Sequence, residues 1–409
     1  MAKAMIVTVG GSQNPIIHSL NEQNPEYVIF FASQETHSQI VQIYDQLKAK
    51  PKIIEQIISP NAEDLISCYR TLSEELPKVL ARNKLEWHEL TVDYTGGTKT
   101  MSAAIVLATI DKSSSYSYVG GKERNKQGMG VVINGKETTL YLTNPWDELG
   151  VAERVKVNTL FNTARYTTAI EVIGQLKAKV SKSQQPFYEM FEDIIRGYDL
   201  WDKFQHNKAR EHLYKGLEKL KLYTIGERRF EGLLHHIQKD AEFLRKIVED
   251  QNEKRKLMVL DLIANAKRRA ELENKYDDAV ARLYRALEKV SQVRLEEGFG
   301  IRTSDVDPKK LPETIRDEFE KKYKSPDRKI RIPLEVGYKL LKEMGDFTGT
   351  RFFERYDEIR KLLNIRNNSI LAHGDSPVDQ TTYQQMLSLI MDFYQVKESE
   401  LPVFPDLRL

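Results

Sequence analysis

Short apolar runs alternate with amphipathic stretches through the first third of the chain. Met5-Ile6-Val7-Thr8-Val9, Tyr27-Val28-Ile29-Phe30-Phe31, residues 53–58, Leu90-Thr91-Val92-Asp93-Tyr94 and Tyr116-Ser117-Tyr118-Val119 are rich in β-branched and aromatic residues. Strands that are apolar along most of their length, separated by helices, predict a parallel sheet covered on both faces. Residues 39–47, 62–80 and the apolar stretch from about Thr100 predict the covering helices. A hairpin is predicted from Val131-Val132-Ile133 through Asn134-Gly135 to residues 138–142, because Asn-Gly favours the tight turns that join antiparallel strands. Residues 1–145 thus read as a doubly wound, Rossmann-like α/β domain ending in an antiparallel ribbon.

Beyond Pro145 the pattern changes. No proline occurs between Pro186 and Pro308, and apolar positions such as Val280, Leu283, Tyr284, Leu287 and Val290 recur at helical spacing. Gly298-Phe299-Gly300 and Pro308, Pro312, Pro326 and Pro333 predict a looped insertion, followed by a helical pair over residues 334–396. The chain then divides into 1–145, an all-α connector at 146–260, an all-α domain at 261–396 and an irregular tail at 397–409.

Composition narrows the classes. With 409 residues, 40% hydrophobic and 30% charged, the chain is too apolar to be disordered and long enough for two or three domains. Its longest strongly apolar run, residues 103–110, is too short to cross a bilayer, and the first ten residues lack a signal-peptide layout. A soluble cytoplasmic protein is expected. One cysteine, Cys68, leaves no internal disulfide framework and no cysteine-based zinc site. The net charge of +2 hides an asymmetry: residues 1–150 carry 14 Lys/Arg against 17 Asp/Glu, so the basic excess lies in the remainder.

In an open parallel sheet, ligands bind beyond the carboxyl ends of the strands. The first strand runs into Gly10-Gly11-Ser12-Gln13-Asn14-Pro15 and the second into Ala32-Ser33-Gln34-Glu35-Thr36. The fourth runs into Thr95-Gly96-Gly97-Thr98-Lys99-Thr100. Glycines let backbone N–H groups approach a ligand, helix N-termini favour anions, and Lys99 adds a point charge. Three such loops on one sheet edge describe a site for a phosphate-bearing, nucleotide-like ligand; the competing reading is plain strand-to-helix connection. Two familiar sites fail on spacing. A Walker A loop needs Gly directly before its Lys, where Thr98 stands, and another Gly five residues earlier, where Asp93 stands. The Gly-x-Gly-x-x-Gly dinucleotide fingerprint is absent after the first strand.

Near the C-terminus, Phe353, Tyr356, Ile359 and Leu363 predict a helix continuing through Arg366, Ile370 and His373. Seven residues apart, Arg366 and His373 would lie about 20° from each other on one face and roughly 10.5 Å apart along the axis. Both fall in the apolar stripe. An unpartnered arginine there is costly, so either a carboxylate answers it or the seam faces another subunit and lines a polar cleft. Asn367, Asn368 and Ser369 are poor helix formers that hydrogen-bond readily. Gly374 and Pro377 are expected to stop the helix just past the histidine. An imidazole exchanges protons near neutral pH and a guanidinium grips phosphate oxygens. That pair suffices for metal-free RNA cleavage, in which the ribose 2′-OH attacks the adjacent phosphorus. Histidine then handles a proton and arginine stabilises the equatorial oxygens. A structural role for the pair is the competing reading.

No metal site is assigned. The eight histidines are scattered, and Asp327, Glu335 and Lys339 form only a poorly spaced carboxylate–lysine set. The basic clusters Lys254-Arg255-Lys256 and Lys267-Arg268-Arg269 stand beside many glutamates and predict solvated helix faces rather than an RNA track.

Both ends resemble one family, the CARF–HEPN ribonucleases of type III CRISPR systems. Val7-Thr8-Val9-Gly10-Gly11-Ser12 and Asp93-Tyr94-Thr95-Gly96-Gly97-Thr98-Lys99-Thr100-Met101 are similar to the two ligand-loop motifs of a CARF domain. Arg366-Asn367-Asn368-Ser369-Ile370-Leu371-Ala372-His373 is similar to the HEPN signature, and residues 278–288 resemble the opening helix of such domains. The resemblance implies a homodimer without cofactor, whose CARF pair binds a cyclic oligoadenylate as allosteric activator. Its HEPN pair would join two copies of Arg366 and His373, with Asn367 assisting, into one site that cleaves single-stranded RNA to 2′,3′-cyclic phosphate and 5′-OH ends in antiviral defence. Binding would involve Gly10, Gly11, Ser12, Gln13, Asn14, Ser33, Gln34, Thr95, Gly96, Gly97, Thr98, Lys99, Thr100 and Met101. Some CARF domains also degrade their activator, a task for which Ser12, Thr98 and Lys99 are the candidates. The alternative is a non-catalytic nucleotide sensor that signals through its helical domain.

Overall fold

The computed structural model of the protein describes residues 3–121, 137–142, 144–226, 228–372 and 374–409. Its strands are β1 (Ala4–Thr8), β2 (Tyr27–Ser33), β3 (Ile53–Ser59), β4 (Leu90–Asp93), β5 (Ser115–Gly121) and β6 (Glu137–Leu142). They form one sheet in the order β3-β2-β1-β4-β5-β6. The first five strands pair in parallel, and β6 runs antiparallel to β5 with Thr139 opposite Val119. Only part of the expected ribbon falls within the described residues. Its second strand pairs with β5, and the expected first strand and Asn134-Gly135 turn lie outside the described residues.

Helices α1 (Asn14–Gln23), α2 (Gln39–Asp45), α3 (Leu65–Arg82) and α4 (Lys99–Thr109) cover the sheet. Alternation along β1 sends Ala4 and Ile6 into one apolar layer with Leu72, Leu76, Met101 and Ile105, and Met5 and Val7 into the other with Ile16, Leu20, Ile40 and Ile43. A buried polar knot ties the carboxyl end of β4 to α1 and β5. The Asp93 carboxylate accepts hydrogen bonds from Ser19 Oγ (2.7 Å), Ser117 Oγ (2.9 Å) and the Thr95 backbone N–H (3.0 Å). Buried carboxylates need such partners.

Thirteen further helices follow in the described residues: α5 (Trp146–Leu149), α6 (Val151–Asn162), α7 (Tyr166–Lys179), α8 (Gln185–Asp202), α9 (His206–Gly226), α10 (Glu231–Glu249) and α11 (Gln251–Glu271), then α12 (Tyr276–Phe299), α13 (Glu313–Lys322), α14 (Leu334–Glu343), α15 (Phe347–Glu354), α16 (Tyr356–Asn367) and α17 (Gln380–Tyr394). The chain separates into two compact units. One comprises Met1–Val157 with Glu171–Phe191, the other Asn158–Ile170 with Glu192–Leu409.

In the second unit, α12 is the axis of the C-terminal core, with Ala279, Val280, Leu283, Ala286, Leu287 and Val290 all buried. Tyr338 stacks on Phe352 at 4.1 Å and donates its hydroxyl to the Leu287 carbonyl at 2.7 Å. The looped insertion contains α13, and the expected final pair is four helices. Two breaks explain the count. Gly345, at φ 75°, turns the chain after α14, where Asp346 caps α15 by accepting from Thr348 N at 2.8 Å, and Arg355, at φ −109° and ψ 20°, leaves helical geometry between α15 and α16.

The tail, residues 401–409, lacks regular structure yet is docked in this unit. Leu407 N–H donates to Asn162 Oδ1 at 2.8 Å, Asn162 Nδ2 donates back to the Leu407 carbonyl at 3.1 Å, and Leu409 N–H donates to Asn158 Oδ1 at 3.0 Å. Phe404 enters an aromatic cage with Tyr198 at 4.6 Å, Trp201 at 5.0 Å and Tyr166 at 5.9 Å. The Arg268 guanidinium lies 3.9 Å from the Phe404 ring centroid. That finding corrects the reading of Lys267-Arg268-Arg269 as a solvated face. Arg268 is 7% exposed and its Nε donates to Asp202 at 3.1 Å, Arg269 also pairs with Asp202, and Lys267 pairs with Glu271 and Glu398.

Candidate functional site

The loop after β1 and the loop after β4 meet at the point where strand order reverses on either side of β1. They are pressed together backbone to backbone. A Cβ on Gly10 would stand 2.5 Å from Gly97 N, and one on Gly96 would stand 2.1 Å from the Thr8 carbonyl oxygen. Gly97 itself has φ 75°, a region glycine enters without strain. Thr8 Oγ1 (2.7 Å) and Ser102 Oγ (2.9 Å) both donate to the Gly96 carbonyl and fix this loop. Thr98 caps α4: its hydroxyl accepts from Met101 N at 3.1 Å and donates to the Ala62 carbonyl at 2.7 Å. Thr95 Oγ1 accepts from Val119 N at 2.8 Å.

These bonds sort the sequence candidates. Gly11, Ser12, Asn14, Gln34 and Lys99 are exposed around the loops, and Gln13, Thr95, Gly96, Gly97, Thr98 and Thr100 are half-buried. No Cβ clash restricts Gly11, so space above it is open. Gln13 donates to Gln42 Oε1 at 2.6 Å. Gly10, Ser33 and Met101 are buried. Met101 belongs to the apolar core, while Ser33 shares hydrogen bonds with Thr36, whose hydroxyl donates to the Val9 carbonyl at 3.1 Å. Only glycine fits at positions 10 and 96, so the Gly-Gly signal has a packing cause as well as whatever ligand it admits.

The C-terminal candidates require a correction. The helix bearing Arg366 does not continue to position 373: α16 ends at Asn367, residues 368–372 form turns, and His373 lies outside the described residues. The 20° face-sharing expected from helical periodicity therefore does not apply. The physical reason is local. Asn368 N–H still bonds back to the Asn364 carbonyl at 3.0 Å, but Ser369 N–H turns to the Arg366 carbonyl at 3.1 Å, and Ala372 and Gly374 N–H groups both turn to the Ser369 carbonyl. Gly374 packs directly on the end of α16, where a Cβ would stand 2.1 Å from the Asn368 carbonyl oxygen. This glycine permits a fold-back rather than marking a late helix stop.

Arg366 is half-buried on the last turn of α16. Its guanidinium lies over the Tyr284 ring of α12 at 4.2 Å, and Nη1 donates to Asn367 Oδ1 at 3.1 Å. The group that answers this arginine is thus an aromatic face, an option the sequence reading did not weigh. Tyr284 carried a signal only as one apolar position in the α12 stripe. Burial pushes its hydroxyl pKa upward, with Glu288 adding to the rise, so the ring is neutral at physiological pH. An open groove of about 570 Å³ runs along Asp357, Arg360, Lys361, Asn364 and Asn368 to Ser376 and Pro377. Asn364 and Arg366 are two residues apart, about 200° around a helix, so this groove lies on the side of α16 away from Arg366.

Asp327, Glu335 and Lys339 are not brought together. Asp327 pairs with Arg331, Glu335 with the Tyr356 hydroxyl, and Lys339 with Glu318 at 2.9 Å. Among the described residues no three His, Cys, Asp or Glu side chains are placed to share a metal ion, and no helix is long and apolar enough to cross a membrane.

A sheet with glycine-rich loops at its switch point, followed by helices and a C-terminal Arg-x6-His sequence, has the architecture of a CARF–HEPN protein. Two family models match, the Csm6 6H domain over residues 149–244 and the Csm6 HEPN domain over residues 247–397. Enterococcus italicus Csm6 bound to cyclic hexa-2'-fluoro-hexa-dAMP is similar in fold over 98% of this chain and 96% of its own, at 11% identity and a TM-score of 0.59. Can2 from Sulfobacillus thermosulfidooxidans in complex with cyclic tetra-adenylate aligns over 55% of this chain and 68% of its own, at 10% identity and a TM-score of 0.25. No curated protein matches the chain. The chain belongs to the CARF–HEPN ribonucleases of type III CRISPR systems, and to their Csm6 branch.

Proposed function

We propose that the protein is a cytoplasmic, cyclic oligoadenylate-activated and metal-independent endoribonuclease that cleaves single-stranded RNA. Residues 1–145 would sense the activator, residues 146–260 connect, residues 261–396 cleave, and residues 397–409 form the docked tail. The observation that carries the reading is the Arg366 guanidinium, held over Tyr284 and tied to Asn367 at the start of the Arg-x6-His motif inside the matched HEPN segment. Arg366 stabilises charge on the equatorial oxygens of the scissile phosphate, His373 serves as acid or base for the 2′-OH or the leaving 5′-oxygen, and Asn367 aligns the guanidinium. Attack by the 2′-OH leaves 2′,3′-cyclic phosphate and 5′-OH ends.

The protein works as a homodimer in this reading. Ile370 is 62% and Leu371 53% exposed in the turn beside Arg366, and a two-fold partner would cover these apolar side chains while bringing a second motif to the first. The activator sits over the exposed Gly11, Ser12, Asn14, Gln34 and Lys99. Should the domain also degrade its activator, Ser12 and Lys99 are the free candidates to position the attacking 2′-OH, since the Thr98 hydroxyl is already committed on both sides.

The test is cleavage of labelled single-stranded RNA in EDTA, with and without cyclic oligoadenylates of several ring sizes, by wild type, Arg366→Ala and His373→Ala. Stimulated, EDTA-resistant cleavage lost in both variants is expected. Cleavage lost in EDTA alone indicates a metal nuclease, and no cleavage with any ligand indicates a non-catalytic sensor.

A further inference from the structure

A guanidinium that must stabilise a transition state gains from being held still before substrate arrives. A free arginine side chain loses considerable rotamer freedom when it is fixed, and Arg366 sits on the last turn of a helix whose following residues leave helical geometry. Two contacts hold it. The Tyr284 ring lies under the guanidinium at 4.2 Å, and Asn367 Oδ1 accepts from Nη1 at 3.1 Å. The ring covers the guanidinium from one side and Asn367 occupies one end. The Nε–Nη2 edge has no partner among the described residues, and that edge is a two-donor fork of the kind that grips two phosphate oxygens.

Resting on the proposed function, we infer that Tyr284 is a positioning residue for the ribonuclease reaction: its ring face fixes the plane of Arg366 so that the Nε–Nη2 edge meets the scissile phosphate. α12 supplies a rigid mount for this. Val280, Leu283 and Leu287, the neighbours of Tyr284 along the helix, are all 1% exposed or less. The ring is half-buried and built into the core on one side while its face serves the arginine on the other. The hydroxyl has no role in this scheme. It is the aromatic face that matters, because the attraction comes from the ring quadrupole.

The test measures activator-stimulated kcat and KM for wild type, Tyr284→Phe, Tyr284→Trp, Tyr284→Leu, Tyr284→Met and Arg366→Ala, with melting temperature and activator affinity recorded for each. Tyr284→Leu and Tyr284→Met are expected to lower kcat about 10- to 30-fold, the range of a desolvated cation–π contact plus lost alignment, with KM within about threefold. Tyr284→Phe and Tyr284→Trp should stay within about threefold of wild type in kcat. Full activity in both aliphatic variants, with Arg366→Ala inactive, overturns the inference and leaves the proposed function standing. An active Arg366→Ala overturns the proposed function itself. Equal loss in Tyr284→Phe and Tyr284→Leu points to the hydroxyl or to folding and also overturns the inference.

Discussion

Phe404→Ala probes the docked tail. The ring packs on Tyr198, Trp201 and Tyr166 and stacks on the Arg268 guanidinium. Removing a fully buried Phe side chain costs about 3–5 kcal/mol; Phe404 is half-buried, so about 2–3 kcal/mol applies. The stack adds about 1 kcal/mol or more, because Arg268 is nearly buried and its Nη1 and Nη2 have no other described partner. A loss of about 3–4 kcal/mol in a unit of roughly 230 residues corresponds to a melting temperature lower by about 6–15 °C. Scanning calorimetry of the full chain measures it. Phe404→Leu, which keeps apolar volume but loses the ring, should fall between wild type and Phe404→Ala. A melting temperature within 2 °C of wild type for Phe404→Ala would refute the reasoning, since the tail would then be an ornament on a unit stable without it.

Three further outcomes follow from particular contacts. Gly96→Ala forces a Cβ to 2.1 Å from the Thr8 carbonyl, so it should weaken activator binding at least tenfold in a calorimetric titration while the C-terminal melting transition is unchanged. Burial pushes the Asp240 carboxyl up to about 6 even though Tyr198 Oη donates to it at 2.7 Å. Between about pH 4 and 6 the native state keeps a proton the unfolded chain releases, so this group costs stability as pH rises through that window, on the order of 2–3 kcal/mol in total. Denaturant titrations should show Asp240→Asn losing that part of the slope. Gly374→Ala meets the Asn368 carbonyl at 2.1 Å and should reduce RNA cleavage at least tenfold with activator affinity unaltered.

The sheet was legible because buried parallel strands write themselves as local apolar runs: residues 27–31 and 53–58 needed no information from elsewhere. What depends on distant partners was not. The pairing of β6 with β5 joins strands on either side of residues 122–136 and has no local signature. Lys267-Arg268-Arg269 was read as solvated because charge alone is visible in sequence, while the Asp202 that draws two of its arginines inward lies 66 and 67 residues away. The end of α16 was placed too late for a different reason: Asn367-Asn368-Ser369 is a helix-ending cluster, yet the heptad spacing of Arg366 and His373 suggested continuity. The residue under Arg366 was visible in sequence only as a helical core position, since nothing in a periodicity distinguishes a ring that packs from a ring that stacks.

Product end-groups test the central chemistry most directly. RNA fragments released by the activated enzyme in EDTA should accept a 5′-label from polynucleotide kinase without prior phosphatase treatment and should end in 2′,3′-cyclic phosphate, with no fragments from Arg366→Ala. Fragments ending in 5′-phosphate and 3′-OH, or an undiminished yield from Arg366→Ala, would contradict attack by the neighbouring 2′-OH under that arginine.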